Sequence, residues 1–278
     1  MLGGRCRTCR APISWRYPSV ELLTACVFFL LTLRLGPSAD AVGYCLFFAA
    51  LIAALVIDLE LFLIPDELNA FALLTAVGLD VWGIATGDPA HALLWGWLPR
   101  SILGAVVCTA LFIGIQLLGY LLFRKEAMGD GDVKLARAIG ALLPLRQALV
   151  SFLLAIAIGA VVGVSKLLWL RVRDGAPEPV EEPAGEAEEP EGIGLGALAS
   201  GGLQYLLWFD LGALLVEKLT KRRSAVALMD EEDDFEAGPM HLPFGPFLVA
   251  GALLAVFVGD ALLRWYLAWA RLAPPAGG

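Results

Sequence analysis

The 278 residues are 59% hydrophobic and 17% charged, with a mean hydropathy of +0.75 and a formal net charge of −8. An ordinary soluble domain is nearer half apolar and a quarter charged, so the composition excludes a soluble globular enzyme and points to an all-α polytopic membrane helix bundle. Much of the negative charge falls in two acidic runs, which makes it a property of loops, and no nucleic-acid partner is expected.

The chain opens with a basic, polar stretch that holds Cys6 and Cys9 as a Cys-x-x-Cys pair, and it lacks the charged-then-apolar order of a cleavable signal peptide. A hydrocarbon core of about 30 Å takes roughly 20 apolar residues per helix. That length predicts spans at 20–35, 42–59, 68–85, 102–123, 149–170 and 247–268. Two further stretches are ambiguous. The stretch 133–143 is too short to cross alone, and 195–216 carries Asp210, Gly201 and Gly202, so the bundle is expected to hold about six to eight transmembrane helices.

Four parts follow in chain order: a Cys-x-x-Cys segment at 1–18, a membrane core at 19–170, an acidic insertion at 171–241, and a final helix with its tail at 242–278. Arg5, Arg7, Arg10 and Arg16 before the first span put the amino terminus in the cytoplasm. The Pro- and Glu-rich run "DGAPEPVEEPAGEAEEPE" at 174–191 has almost nothing to bury, and disorder is the expectation there.

The acids at the span boundaries carry the chemistry. In "VIDLELFLIPDELNA", Asp58 closes one apolar stretch, Pro65 interrupts any continuing helix and Asp66 opens the next. In "KEAMGDGDVKLARAIGALL", Asp130 and Asp132 lie among glycines ahead of another apolar run. The predicted crossings return Asp58 and Asp132 to the same face. Ionisable groups at the edge of hydrocarbon are costly and point to function, and two carboxylates that meet share a proton and take different tasks. That is the chemistry of an aspartic peptidase, and it needs no metal.

Each residue also has a plainer reading. Asp66 fits an N-cap better than a catalyst, Asp130 fits a turn residue bonding its own backbone, and Lys134 fits an interfacial anchor. Asp132 has the position to cap a helix beginning at Val133. Asp58 is different, because the negative end of its own helix disfavours an anion and something must compensate it.

These stretches carry a resemblance. "MGDGDVKL" holds a Gly-x-Gly-Asp signature at Gly129, Asp130, Gly131 and Asp132, and "IDLELFLIPDELN" looks like its partner motif. With "CRTCRAPISWRYPSVELLTA" near the start and "LPFGPFLVAGALLA" from Leu242, the chain resembles the bacterial type IV prepilin leader peptidases.

The resemblance implies that Asp58 and Asp132 are the catalytic pair, that Gly129 and Gly131 shape the turn presenting Asp132, and that Asp66, Asp130 and Lys134 line the site. It implies prepilin and pseudopilin substrates of type IV pili and type II secretion, cut at the cytoplasmic face of the bacterial inner membrane with lipid all around. No cofactor is implied for cleavage.

Many members of that family also methylate the new amine with S-adenosylmethionine, and carry two Cys-x-x-Cys pairs that hold zinc. Here only Cys6 and Cys9 are present, and His91 and His241 lie at no matching spacing, so cleavage is expected and methyl transfer is left open. Two rivals stand beside this reading, an ion-coupled transporter and a non-catalytic component of a pilus or secretion machine.

Overall fold

The computed structural model describes residues 4–93, 98–123, 128–174 and 242–270. Seven α-helices make up nearly all of it: α1 (Arg16–Leu35), α2 (Ala39–Leu61), α3 (Asp66–Thr86), α4 (Arg100–Phe123), α5 (Asp130–Leu142), α6 (Leu145–Asp174) and α7 (Gly245–Trp269). Six of them, all but α5, are long and apolar enough to cross a membrane. The fold is therefore the expected all-α, multi-pass bundle. The ambiguous stretch 195–216 and the acidic run 174–191 fall outside the described residues, apart from Asp174 itself, which ends α6.

The helix boundaries have local causes. Ser38 caps α2 by accepting the Ala41 N–H at 3.1 Å. Phe62 ends the same helix in a left-handed conformation, and Pro65, which has no N–H to give, precedes α3. Between α3 and α4 lies a short hairpin made of a 3-10 turn (Pro89–His91) and the two-residue strands Ala92–Leu93 and Leu98–Pro99.

The bundle is held by close packing of small residues, as helices in lipid require. Helix α5 lies antiparallel along α4. Gly140 near its end abuts Gly104 and Cys108, and a Cβ on Gly104 would run into the Gly140 carbonyl oxygen. At the other end of the pair, the Gln116 amide donates to the Met128 carbonyl and to Asp130 Oδ1, at 3.2 and 3.1 Å.

The short helix expected not to cross alone is thus the centre of the bundle. Val133 and every residue from Leu135 to Leu142 are buried, and α5 carries the chain from the Asp58 end of the bundle to the opposite end, where α6 starts back. Its 13 residues reach about 20 Å, less than a bilayer core. Helices α6 and α7 pair over a long contact, with Gly251 against Ser151 and Ala155, and Gly159 against Phe247. Helix α1 buries only Val27 and Leu31 and packs at the periphery on α2. Large apolar side chains such as Phe29, Leu74, Trp82 and Trp265 stay exposed, as a lipid-facing surface demands.

The end opposite Asp58 is closed by a buried polar cluster. Asp80, in the last two turns of the apolar α3, accepts the Arg100 Nε–H at 3.1 Å and the Ser101 N–H at 2.6 Å, and His91 Nδ1 lies 2.9 Å from its Oδ1. His91 Nε2 reaches Asp40 on α2 at 3.3 Å, so one carboxylate ties α2, α3, the hairpin and α4 together. Removing one partner from a buried charge cluster leaves the others unpaired. Asp80→Ala is expected to cost about 3 kcal/mol of stability, read as a lower melting temperature in detergent.

Candidate active site

The acids singled out in the sequence gather at one end of the bundle. Asp58 lies in the last turn of α2 and is 5% exposed, with its carboxyl buried against the Gly245 backbone. Asp132 occupies the first turn of α5, close enough that the charge on Asp58 acts on it. Ile64, in the short connection between α2 and α3, packs between the two segments, touching the Cβ position of both Gly131 and Gly245.

What compensates Asp58 is the start of α7. Gly245 opens that helix directly against the Asp58 carboxyl, where any Cβ would collide with Oδ2. The positive end of α7 therefore faces the carboxylate that the negative end of α2 disfavours. Asp132 gains from the amino end of α5 in the same way. Gly245 belongs to the "PFGPF" stretch quoted above, but its role was not read from the sequence. A glycine just before Pro246, at the first turn of an apolar helix, was the available signal.

Several expectations about the neighbours are corrected. Asp66 is not the N-cap of α3, because Pro65 holds that position and the Asp66 carboxylate instead accepts the Lys134 Nζ–H at 2.6 Å. Lys134 is accordingly no interfacial anchor: its side chain is 12% exposed and pins α5 to α3. Asp130 is no turn residue, since α5 begins with it and Gly129 is the N-cap. Asp132 follows inside the first turn and caps nothing. Gly131 is tight against Ile64, with 3.2 Å from an added Cβ to the Ile64 Cβ, while Gly129 has open space around it.

The Lys134–Asp66 bridge holds the first turn of α5 in register. Because the Asp66 side chain is 39% exposed, solvent screens the pair. A double-mutant cycle of Lys134→Ala with Asp66→Ala is expected to give a coupling near 1 kcal/mol, measured by unfolding in detergent.

Cys6 and Cys9 lie in a small hairpin ahead of α1, bridged at Arg5 and Pro12. The Cys6 N–H donates to the Ala11 carbonyl at 2.9 Å and the Arg10 N–H to the Cys6 carbonyl at 3.0 Å. Backbone N–H groups of Cys9 and Thr8 turn towards the Cys6 sulfur and hold its thiol below the usual range. This arrangement suits a thiolate-binding metal, but it supplies two ligands where a closed zinc site takes four. No group of three or more metal-binding side chains forms among the described residues, so a closed site does not fit them.

Comparison with known proteins settles the relationship. Residues 45–164, which contain both acids, match the Type IV leader peptidase family, and residues 1–35 match the bacterial Peptidase A24 N-terminal domain. The chain is similar to a prepilin leader peptidase/N-methyltransferase of Myxococcus xanthus, 31% identical over 266 residues, covering 95% of this chain and 75% of that protein. It belongs to the type IV leader peptidase family.

Prepilin leader peptidase/N-methyltransferases of Aeromonas hydrophila and Bacillus subtilis are 33% and 30% identical to it, over 64% and 63% of this chain. The matches span 58% and 65% of those two relatives' lengths. No solved structure matches the chain. Family membership makes it a peptidase, and its six long apolar helices fit a multi-pass membrane protein.

Proposed function

We propose that this protein removes the leader from prepilins and related pseudopilins, with Asp58 and Asp132 as its acid–base pair. The observation that carries the reading is the placement of these two acids, 74 positions apart in the chain, at one end of the bundle, with the charge of Asp58 acting on Asp132 and the Asp58 carboxyl buried against the Gly245 backbone. A buried carboxylate costs stability unless its oxygens are bonded, and beyond the Gly245 backbone a water or a substrate amide is the fitting partner. One carboxylate takes a proton from water as its oxygen attacks the scissile carbonyl, and the other carboxyl gives its proton to that carbonyl oxygen. The tetrahedral diol then collapses as the first acid passes its proton to the departing amine and the second takes one back from a hydroxyl of the diol, which returns both acids to their starting forms.

Two features support a cytoplasmic location for this end of the bundle in the bacterial inner membrane. Arg16 Nη1 pairs with Glu60 Oε1 at 2.6 Å, which sets the basic amino-terminal segment on the same face as Asp58. Arg171 and Arg173 end α6 on that face as well, and an excess of Lys and Arg marks the cytoplasmic side. A basic leader on that side and an apolar helix in the bilayer would present the bond between them to the acids.

The test is intact-mass measurement of a prepilin incubated with the purified protein in lipid vesicles. Loss of the leader is the expected result, and an unchanged mass contradicts the proposal. The relatives' names join a second activity to the first, and the same spectrum would show a methyl group on the new amine when S-adenosylmethionine is supplied.

A further inference from the structure

Between helices α4 and α6 lies a cavity of about 510 Å³ lined by nine side chains, none of them polar. Its floor is the buried pair Phe112 and Phe152, edge to face with centroids 4.8 Å apart. Its rim opens outward, and Leu153 on α6 is 67% exposed. The volume lies in the range of about 300–1,000 Å³ typical of sites that take a ligand. A ligand would enter sideways from the hydrocarbon, because no polar group marks a route from water.

We infer that this groove seats large apolar side chains of the substrate's own membrane helix, just beyond the bond that the acids address. The inference rests on the leader peptidase reading and names how the substrate is held. Continuity with the acid pair is the main argument. The groove ends at Met128 and Phe244, and each is the residue immediately before a glycine of the site: Met128 precedes Gly129 at the start of the Asp132 helix, and Phe244 precedes Gly245, which abuts Asp58.

Depth is the second argument. Gly159 lies level with Phe247 and Ser151 level with Gly251 in the antiparallel α6–α7 pair. The α6 side of the groove, Leu149 to Ile156, therefore lies deeper in the bundle than the acids. A peptide cut at Asp58 and Asp132 with its amino end in water must continue downward along this path. A fluid acyl chain would fill the same space, but nothing about it requires a groove that ends at both catalytic loops.

The experiment combines capture with kinetics. A photoreactive phenylalanine analogue is placed at position 153 of an Asp132→Asn protein, so that uncut prepilin persists, and vesicles holding both proteins are illuminated. The expected adduct joins position 153 to the first apolar residues after the cleavage point. Adducts with lipid alone, with a second copy of the chain, or with residues 195–216 would overturn the inference.

In the protein with both acids intact, Leu153→Trp narrows the groove and is expected to raise KM for membrane-embedded prepilin roughly tenfold with kcat little changed. Leu74→Trp, on the lipid face of α3, should leave KM as it was. Equal KM values for the two variants would also overturn the inference. If the unaltered protein cuts no prepilin at all, the leader peptidase reading fails instead, which keeps the two failures apart.

Discussion

Asp132→Asn and Asp58→Asn are each expected to lower the rate of leader removal by at least about 10³-fold while the protein inserts and melts as before. The magnitude follows from the part the acids play, since positioned general acid–base groups are worth about 10²–10⁴ each and loss of either member disables both proton transfers. The folding half of the prediction has a separate basis. An amide has the shape of the carboxyl it replaces, and its oxygen can still accept from the Gly245 backbone. Single-turnover cleavage and a thermal melt on the same preparations check both halves, and a variant that cuts at more than a tenth of the normal rate would contradict the assignment.

Gly104→Ala is expected to abolish activity by another route. The added methyl meets the Gly140 carbonyl oxygen, which is backbone and has no rotamer to escape into, so α4 and α5 must move apart. Overpacking of this kind costs about 1–3 kcal/mol, occasionally more, and a clash with main chain falls at the upper end. Because α5 carries Asp132 and has packed residues along almost its whole length, the shift is passed to the acid end. A fall in melting temperature together with loss of cleavage is the expected outcome. Gly78→Ala, where an added Cβ meets nothing, should change neither.

Much of the fold was legible from hydropathy alone. Six crossings were expected within a few residues of the six long helices, because length and apolarity decide which segments can span a bilayer. The short helix was harder to place. A segment of 13 residues crosses most of the bundle only because α3, α4 and α7 surround it, and that shielding is a tertiary property.

The acid pair was readable as residues, since charges at span ends are conspicuous, and the structure brings the two together. Their surroundings were not readable in the same way. Asp66 looked like a cap and Lys134 like an anchor because local rules were applied to each alone, and the bond joining them links residues 68 positions apart. Asp80 stands inside an apolar stretch, where an ionisable residue is a signal in its own right. Its partners Arg100 and His91 are 20 and 11 residues away, and only the folded chain shows that they converge.

The most direct test of the claim that Asp58 and Asp132 act as one unit is the cleavage rate of the Asp58→Asn/Asp132→Asn double variant beside the two single variants. Residues that share one task are strongly non-additive, so the double variant is expected to retain the same residual rate as either single one. A double variant slower than each single by the full product of their separate losses would show two independent contributions and contradict the account.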